Sequence, residues 1–478
     1  MTKYPSLFLI ILSQFFTMSH ASVSEADNRW KSSLDQILVK PKPLKRVAGN
    51  ESVVTLFTIH GSNTIGGSLA PTMLMSYLKA KGIDNIRIQP LLAENEKVIK
   101  GDLVSQGKTI QIKVAAHGSS TGFKSLLNGD AEIWASSRPV KDKEVISAQD
   151  RMDLRSPQSE HILGIDGLAI VVNPSNPITS LSKVQLGRIF SGEVTNWSQV
   201  GGHEQAISLF ARDENSGTWD SFKNMVLGKV YALSDQSSRF ESSEELVNNV
   251  VRDKGGIGFI GMAFVGKSKL LAINDGPTQA FKPSEMTVAT EDYALSRRLF
   301  LYTKGDNENA FVNEFMNYAQ GIRGQEIVKA EGFISQNVMS MNMKLSDDLP
   351  KDYLEIVAGA ERLSINFRFN EGSAKLDNKA KKDIQRLVYF LKQEKKLTRS
   401  KINGRPSIDV MLVGFGDKRK NAHRSKLLSK LRAMAVRREL ARLGVHPSVT
   451  TGYGDFNPVA GFNGNSSLKN RRVEVWIK

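Results

Sequence analysis

Cysteine is absent from all 478 residues. Its absence excludes disulfides, thiolate metal centres, a cysteine nucleophile and a lipid-modified cysteine anchor. Long apolar runs are scarce as well. Leu7 to Phe16 is nearly all apolar but too short to span a bilayer as an ordinary helix, and no later stretch is long enough. Lys3 before this run and Ser19-His20-Ala21 after it give it the layout of an export signal cleaved near Ala21. Acidic residues are the third scarcity, and only toward the end of the chain. From Lys344 to Lys478 there are 29 Lys+Arg against 14 Asp+Glu, so this segment carries +15 of the formal +16 and the rest is nearly neutral. Such a split predicts two domains with different partners. A basic domain can bind nucleic acid. In an exported chain the expected neighbours are instead anionic envelope polymers or lipid headgroups, and nucleic acid is not expected.

What the chain does have is a loop design used three times: His60-Gly61-Ser62-Asn63-Thr64, His117-Gly118-Ser119-Ser120-Thr121-Gly122 and Arg212-Asp213-Glu214-Asn215-Ser216-Gly217-Thr218. Each sets hydroxyl residues beside glycine and precedes a run with helical apolar spacing. Glycine admits a close ligand, and the first turn of a helix leaves N–H groups unpaired. One such loop is an ordinary helix cap. Three together, one with an arginine, point to a site for a tetrahedral oxyanion.

The surrounding pattern fits. Val53 to Ile59 reads as a strand ending at the first loop, with Leu69, Met73, Leu74, Tyr77 and Leu78 at helix spacing after it. Ile110, Ile112 and Val114 lead to the second loop, and Ile207 to Phe210 to the third, which Trp219, Phe222, Met225 and Val226 follow. Strand, loop and helix in repetition predict an α/β fold with ligands at the C-terminal ends of its strands. Past the polar stretch around Ser346 and Pro350, Ile384, Leu387, Val388 and Leu391 predict one amphipathic helix, and Ala433, Val436, Leu440 and Leu443 another. Ile408 to Val413 and Arg472 to Ile477 read as strands. The expected organisation is a signal peptide over 1–21, a leader or linker over 22–50, an oxyanion-binding domain over 51–342, a linker over 343–357 and a basic domain over 358–478.

Further segments carry a resemblance. Ala131-Glu132-Ile133-Trp134-Ala135-Ser136-Ser137-Arg138-Pro139, Asp166-Gly167-Leu168-Ala169-Ile170-Val171-Val172-Asn173, Ile189-Phe190-Ser191-Gly192 with Trp197, Gly255-Gly256-Ile257-Gly258-Phe259 and Tyr293 to Phe300 occur in the order found in bacterial phosphate-binding proteins. Residues ~50–342 resemble that family, a two-lobed periplasmic binding protein class (type II). The resemblance implies phosphate contacts at Ser62, Thr64, the Ile65 backbone, Ser119, Ser137, Arg212, Ser216, Gly217 and Thr218. The first lobe would supply Thr64 and Ser119 and the second Arg212 and Ser216 to Thr218, so that ligand favours closure. It also implies that Glu214 orients Arg212. Phosphate-specific members place an aspartate where Ser137 stands. A carboxylate only accepts, so it favours a protonated phosphate over sulfate. With Ser137, and Arg138 adding positive charge, weaker discrimination is expected unless Glu214 or Asp166 substitutes.

Phe369, Ser373-Ala374-Lys375-Leu376, Val413-Gly414-Phe415-Gly416-Asp417, Leu428 to Ala433, Gly452-Tyr453-Gly454-Asp455 and Asn470 to Glu474 give residues ~358–478 a resemblance to the OmpA-like peptidoglycan-binding domain, a smaller α+β unit. That likeness implies binding of the diaminopimelate of peptide stems, with Asp417 taking the ammonium and Arg432 the carboxylate. Ser425, Gly416 and Lys420 depart from the family's usual Asn, Thr and Gly.

The reading is an exported, non-enzymatic protein of the periplasm. Its expected partners are phosphate or another inorganic oxyanion, peptidoglycan and an ABC transporter, with no cofactor and no metal. A structural or adhesive envelope protein with a degenerate cleft is the first alternative. A phosphatase is the second, for which His60 and His117 are the available bases.

Overall fold

Ile162 to Val172 is apolar apart from Asp166 and two glycines and is buried along its whole length, the mark of a strand covered on both faces. The computed structural model in which it lies describes residues 53–478 apart from 215, 306, 344, 346–348, 394–399, 403–404, 408, 419–420 and 462–467. The expected signal peptide and leader, together with Asn215, Ile408 and Lys420, fall outside the described residues.

Along the chain run β1 (Val53–Gly61), α1 (Ala70–Ala80), β2 (Asp84–Pro90), β3 (Glu96–Leu103), β4 (Lys108–Ala115), α2 (Ser119–Asn128), β5 (Ile133–Ser136), α3 (Asp142–Ala148) and β6 (Glu160–Val172). Then come β7 (Ser180–Ser182), α4 (Lys183–Phe190), β8 (Ser208–Arg212), α5 (Gly217–Phe222), β9 (Ser238–Phe240), α6 (Ser243–Arg252), β10 (Gly256–Gly261), β11 (Lys269–Leu270), β12 (Ala272–Asn274), α7 (Glu285–Ala289), β13 (Ser296–Thr303), α8 (Ala310–Gln320) and α9 (Ile322–Ala330). The principal strands pair in the order β2-β3-β4-β1-β5-β13-β6-β10-β8-β9. Around β1 the pairing is parallel with β4 and β5, and β10, β8 and β9 are parallel to one another. β6 joins the two sets, pairing β13 through its first half and β10 through its second. This is the expected two-lobed α/β fold, each lobe with its own core: Leu126, Trp134 and Tyr302 belong to one, Phe190, Trp219 and Phe259 to the other.

The rest of the chain holds β14 (Ser340–Met341), α10 (Lys351–Val357), β15 (Glu361–Arg368), α11 (Asn378–Gln393), β16 (Ser400–Ile402), β17 (Arg405–Ser407), β18 (Val410–Gly414), α12 (Ala422–Arg442), β19 (Val449–Gly452) and β20 (Arg472–Ile477). A sheet in the order β14-β15-β20-β18-β19 packs α11 and α12 against Leu363, Ile365, Val410, Leu412, Val473 and Val475. Alternate residues Met411, Val413 and Trp476 meet Tyr353 and Val357 of α10. The stretch 343–357, expected as a linker, therefore contributes a helix to this domain's core. The predicted helical stripe is buried at Ala433, Val436 and Leu440, but Leu443 lies one residue past α12 and is exposed.

Charged side chains join the two domains. Arg298 binds both Glu291 and Asp377, Arg368 binds Asp292 at 3.0 Å and the Thr290 carbonyl, and Asn378 donates to Glu160. Glu291 is mostly buried, its side chain 12% exposed. Burial alone would raise its pKa, but Arg298, Lys379 and Arg368 outweigh that and hold it at about 2. Lys469 Nζ donates to the carbonyls of Tyr293 and Ala294 and to Ser296 Oγ, and its burial beside Arg368 pushes it down to about 7.

Candidate functional site

All the candidate loops lie at C-terminal ends of parallel strands: Ser62 and Thr64 after β1, Ser119 after β4, Ser137 after β5, and Arg212 to Thr218 from the end of β8 into α5. Between the lobes is a cleft of about 540 Å³ whose lining includes Thr64, Asp166, Arg212, Ser216, Gly217 and Thr218. The two lobes touch there. A Cβ added to Gly217 would stand 2.5 Å from both the Cα and the N of Thr64, and closer still to its Oγ1. Glycine at this position is thus a condition of closure rather than of backbone conformation. Ser216 caps α5, its Oγ accepting from the Thr218 N–H.

Arg212 is largely buried and engaged on three sides. Its Nε donates to the Phe240 carbonyl, and its terminal nitrogens donate to Ser243 Oγ at 2.5 Å and the Glu241 carbonyl at 2.6 Å. Burial lowers its pKa against the opposing pull of Asp213 and Glu241. Glu214 does not orient it, contrary to expectation. That carboxylate is exposed and lies 3.5 Å from Arg239, and the Arg212 fork is set by two backbone carbonyls and Ser243, with Asp213 at 3.7 Å.

Ser62, Ile65, Ser119 and Ser137 do not line the cleft. Ser62 is buried with its N–H on the Ala135 carbonyl, and the Ile65 N–H already donates to the Ser62 carbonyl. Ser119 Oγ accepts from the Ser137 N–H at 3.1 Å and lies 3.3 Å from Ser137 Oγ, so these two hydroxyl residues satisfy one another in the interior. Nor does Arg138 add positive charge to the cleft. It forms a bidentate pair with Glu144, at 2.8 and 2.6 Å, and Glu144 in turn caps α3.

The residue that sequence reasoning passed over is Arg297. Its Nε donates to Asp166 Oδ2 at 3.1 Å, while one terminal nitrogen donates to Thr64 Oγ1 at 2.8 Å and to the Gly217 carbonyl at 3.0 Å. One guanidinium therefore ties a loop of each lobe to the strand that joins them. The signal was an arginine pair, Arg297-Arg298, on β13: neighbouring strand residues face opposite ways, so Arg297 reaches the cleft and Arg298 the domain junction.

His60 Nδ1 lies 2.9 Å from Ser125 Oγ and His117 Nε2 lies 3.0 Å from Glu96. Burial lowers the His60 pKa. Neither imidazole lines the cleft, and no cluster of metal-ligating side chains occurs among the described residues.

In the C-terminal domain Asp417 and Arg432 do not pair with each other. Asp417 Oδ2 accepts from Arg471 at 2.8 Å, while its Oδ1 is buried with no hydrogen-bond partner among the described residues. Arg432 is almost wholly buried. It donates to the Ser373 and Asn370 carbonyls and lies over the Phe369 ring. Ser425 Oγ donates to the Asp417 carbonyl, so the residue that replaces the family's usual Asn holds the loop rather than a ligand. Arg471 was read only as part of a motif.

Comparison with known proteins adds two family matches: a PBP superfamily domain over residues 96–321 and the OmpA family over residues 368–472. Protein SphX of Synechococcus elongatus is 33% identical over 239 residues, covering 47% of this chain and 70% of that protein. The phosphate-binding protein PstS of Borreliella burgdorferi is 25% identical over 253 residues, covering 52% and 86%. An ABC-type phosphate transport receptor from Vibrio cholerae aligns in structure with a TM-score of 0.46 at 25% identity, covering 58% of this chain and 99% of that one.

Proposed function

Because the chain belongs to the PBP superfamily and carries an OmpA family domain, we propose that it is an envelope solute-binding protein. It captures phosphate, or a similar tetrahedral oxyanion, between the Thr64 loop and the Arg212–Thr218 loop. The observation that carries this reading is the meeting of Thr64 and Gly217 across the lobes, beside Arg212 and a helix N-terminus. A ligand touching both loops favours the closed state over the open one. His60 and His117 are engaged elsewhere, and of the acids that line the cleft Asp166 is held by Arg297 and Asp213 lies beside Arg212, which favours binding over turnover as its activity. Titration calorimetry with phosphate, sulfate and a phosphomonoester, with a turnover assay alongside, tests this. Phosphate should bind and no ester should be cleaved; a protein that binds none of the three has a degenerate cleft.

Asp166 takes the place of the missing aspartate as the acceptor that distinguishes protonated phosphate from sulfate. Among the described residues its only hydrogen bond is the one from Arg297 to Oδ2, and it lines the cleft. Asp166→Asn should lower the preference for phosphate over sulfate by tenfold or more, about 1.4 kcal/mol, in competition titrations. An unchanged ratio would assign selectivity to another group.

The C-terminal domain fastens the protein to peptidoglycan. Asp417 Oδ1, without a hydrogen-bond partner among the described residues, is an acceptor that a diaminopimelate ammonium would satisfy, and Arg432 supplies the cation for its carboxylate. Asp417→Ala and Arg432→Ala should each release the full chain from diaminopimelate-type peptidoglycan in a pull-down at 1 M salt. At that ionic strength the Debye length is about 3 Å and simple attraction to the wall is screened. Loss of the parent itself at 1 M salt, with both variants binding like the parent at low salt, would leave the basic surface as the sole attachment.

A further inference from the structure

We propose that the outward face of α12 is a docking surface for an anionic phospholipid bilayer, independent of either ligand site described above. α12 runs from Ala422 to Arg442 and is packed on one side only, through Ser425, Ser429, Arg432, Ala433, Val436 and Leu440. On the opposite side Leu427, Leu431 and Met434 are exposed by 59%, 45% and 49%. Their spacing of four and three residues sets them in one row along the helix. A core helix gains nothing from three large apolar side chains in water, and a contiguous exposed row of this kind marks a contact surface.

Charge identifies the occupant. At 100° per residue the row is flanked by Arg424 and Arg442 on one edge and by Lys430 and Arg437 on the other, with Arg438 in line beyond Met434. All five are exposed. The only acid in the helix, Glu439, is taken up by Arg442 at 2.8 Å and Arg438 at 3.7 Å. Among the described residues Arg424, Lys430 and Arg437 form no ion pair. A soluble polyanion would use these cations but leave the leucines in water. A second copy of the helix would cover the leucines but oppose like charges. An anionic bilayer accepts both, with the apolar row entering the acyl boundary and the flanking cations meeting headgroup phosphates. No described helix is long and apolar enough to cross a membrane, so the contact is one of lying on the surface.

The full chain should co-sediment with phosphatidylglycerol–phosphatidylethanolamine vesicles and not with phosphatidylcholine vesicles. Leu427→Ser combined with Leu431→Ser should weaken that binding at least tenfold without moving the melting temperature, because both side chains lie outside the core, and should leave retention on heparin unchanged. Since the chain has no thiol of its own, Leu431→Cys gives a single labelling site, and a polarity-sensitive dye there should shift to the blue on anionic vesicles. If the serine variant binds vesicles like the parent, or the dye still reports water while the protein is bound, the attraction is purely ionic and the proposal fails. Failure to bind the anionic vesicles at all overturns it equally.

Discussion

Gly217→Ala should cost at least a hundredfold in phosphate affinity while leaving the fold intact. The added methyl has no room: two backbone atoms of Thr64 stand 2.5 Å from its position, and backbone cannot swing aside as the end of a side chain can. The loops of the two lobes would be held apart, and every contact that depends on closure would lengthen with them. A hundredfold is about 2.7 kcal/mol, well within what a few misplaced charge-assisted hydrogen bonds amount to. Alanine is otherwise welcome in the first turn of a helix, so circular dichroism and melting temperature should match the parent. Titration calorimetry decides the matter, and an alanine variant that binds normally would mean that the bound state keeps these loops apart.

The second large effect is expected far from the cleft, at Glu291. This buried carboxylate faces Arg298 at 2.5 Å and Arg368 at 3.7 Å. Glu291→Gln removes one of the two carboxylates that each cation faces, Asp377 remaining beside Arg298 and Asp292 beside Arg368, so the cost should fall below the roughly 3–5 kcal/mol of a fully broken buried pair. Thermal unfolding of the variant should separate into two transitions as the C-terminal domain comes loose. The pH dependence has a definite sign. With a native pKa of about 2 against an ordinary 4.5, the parent holds the full stabilisation above about pH 4.5. It loses that stabilisation as protons bind the unfolded state preferentially on the way down to about pH 2. The glutamine variant should lack this acid-sensitive component. Superimposable acid-unfolding curves would show that Glu291 does not hold the junction.

Which parts of this were legible in the sequence follows from how local each signal is. The strands that lead to the three loops, the two amphipathic helices of the basic domain and the repeated strand–loop–helix order rest on neighbours in the chain, and periodicity reveals them. The roles of individual polar residues depend on partners distant in sequence. Arg138 looked like a charge for the cleft because nothing nearby shows that Glu144, six residues on, folds back upon it as a helix cap. Ser119 and Ser137 looked like two ligands, yet the first turn of α2 and the loop after β5 bring them together and they bind each other. Arg297 gave the opposite error. It sat inside a segment recognised as a unit, and its three partners, at positions 64, 166 and 217, come from widely separated parts of the chain.

The strand order also dictates when each lobe can be finished. The second lobe draws its strands β8 to β10 from one continuous stretch beside β6, and its core takes Val288, Tyr293, Leu295 and Ile334 from later in the chain. The first lobe cannot close until β13 has entered between β5 and β6, and Phe315 of α8 must still reach Phe57 of β1. A chain that emerges N-terminus first therefore pairs the strands of its second lobe while the first still lacks a central strand. For that interval β5 and β6 each have an open edge, the kind of surface that pairs with other chains. The long sequence separation of these last contacts makes their formation the slow step. Pulse-labelling hydrogen exchange during refolding should accordingly protect the amides of β8 and β10 before those of β1 and β5.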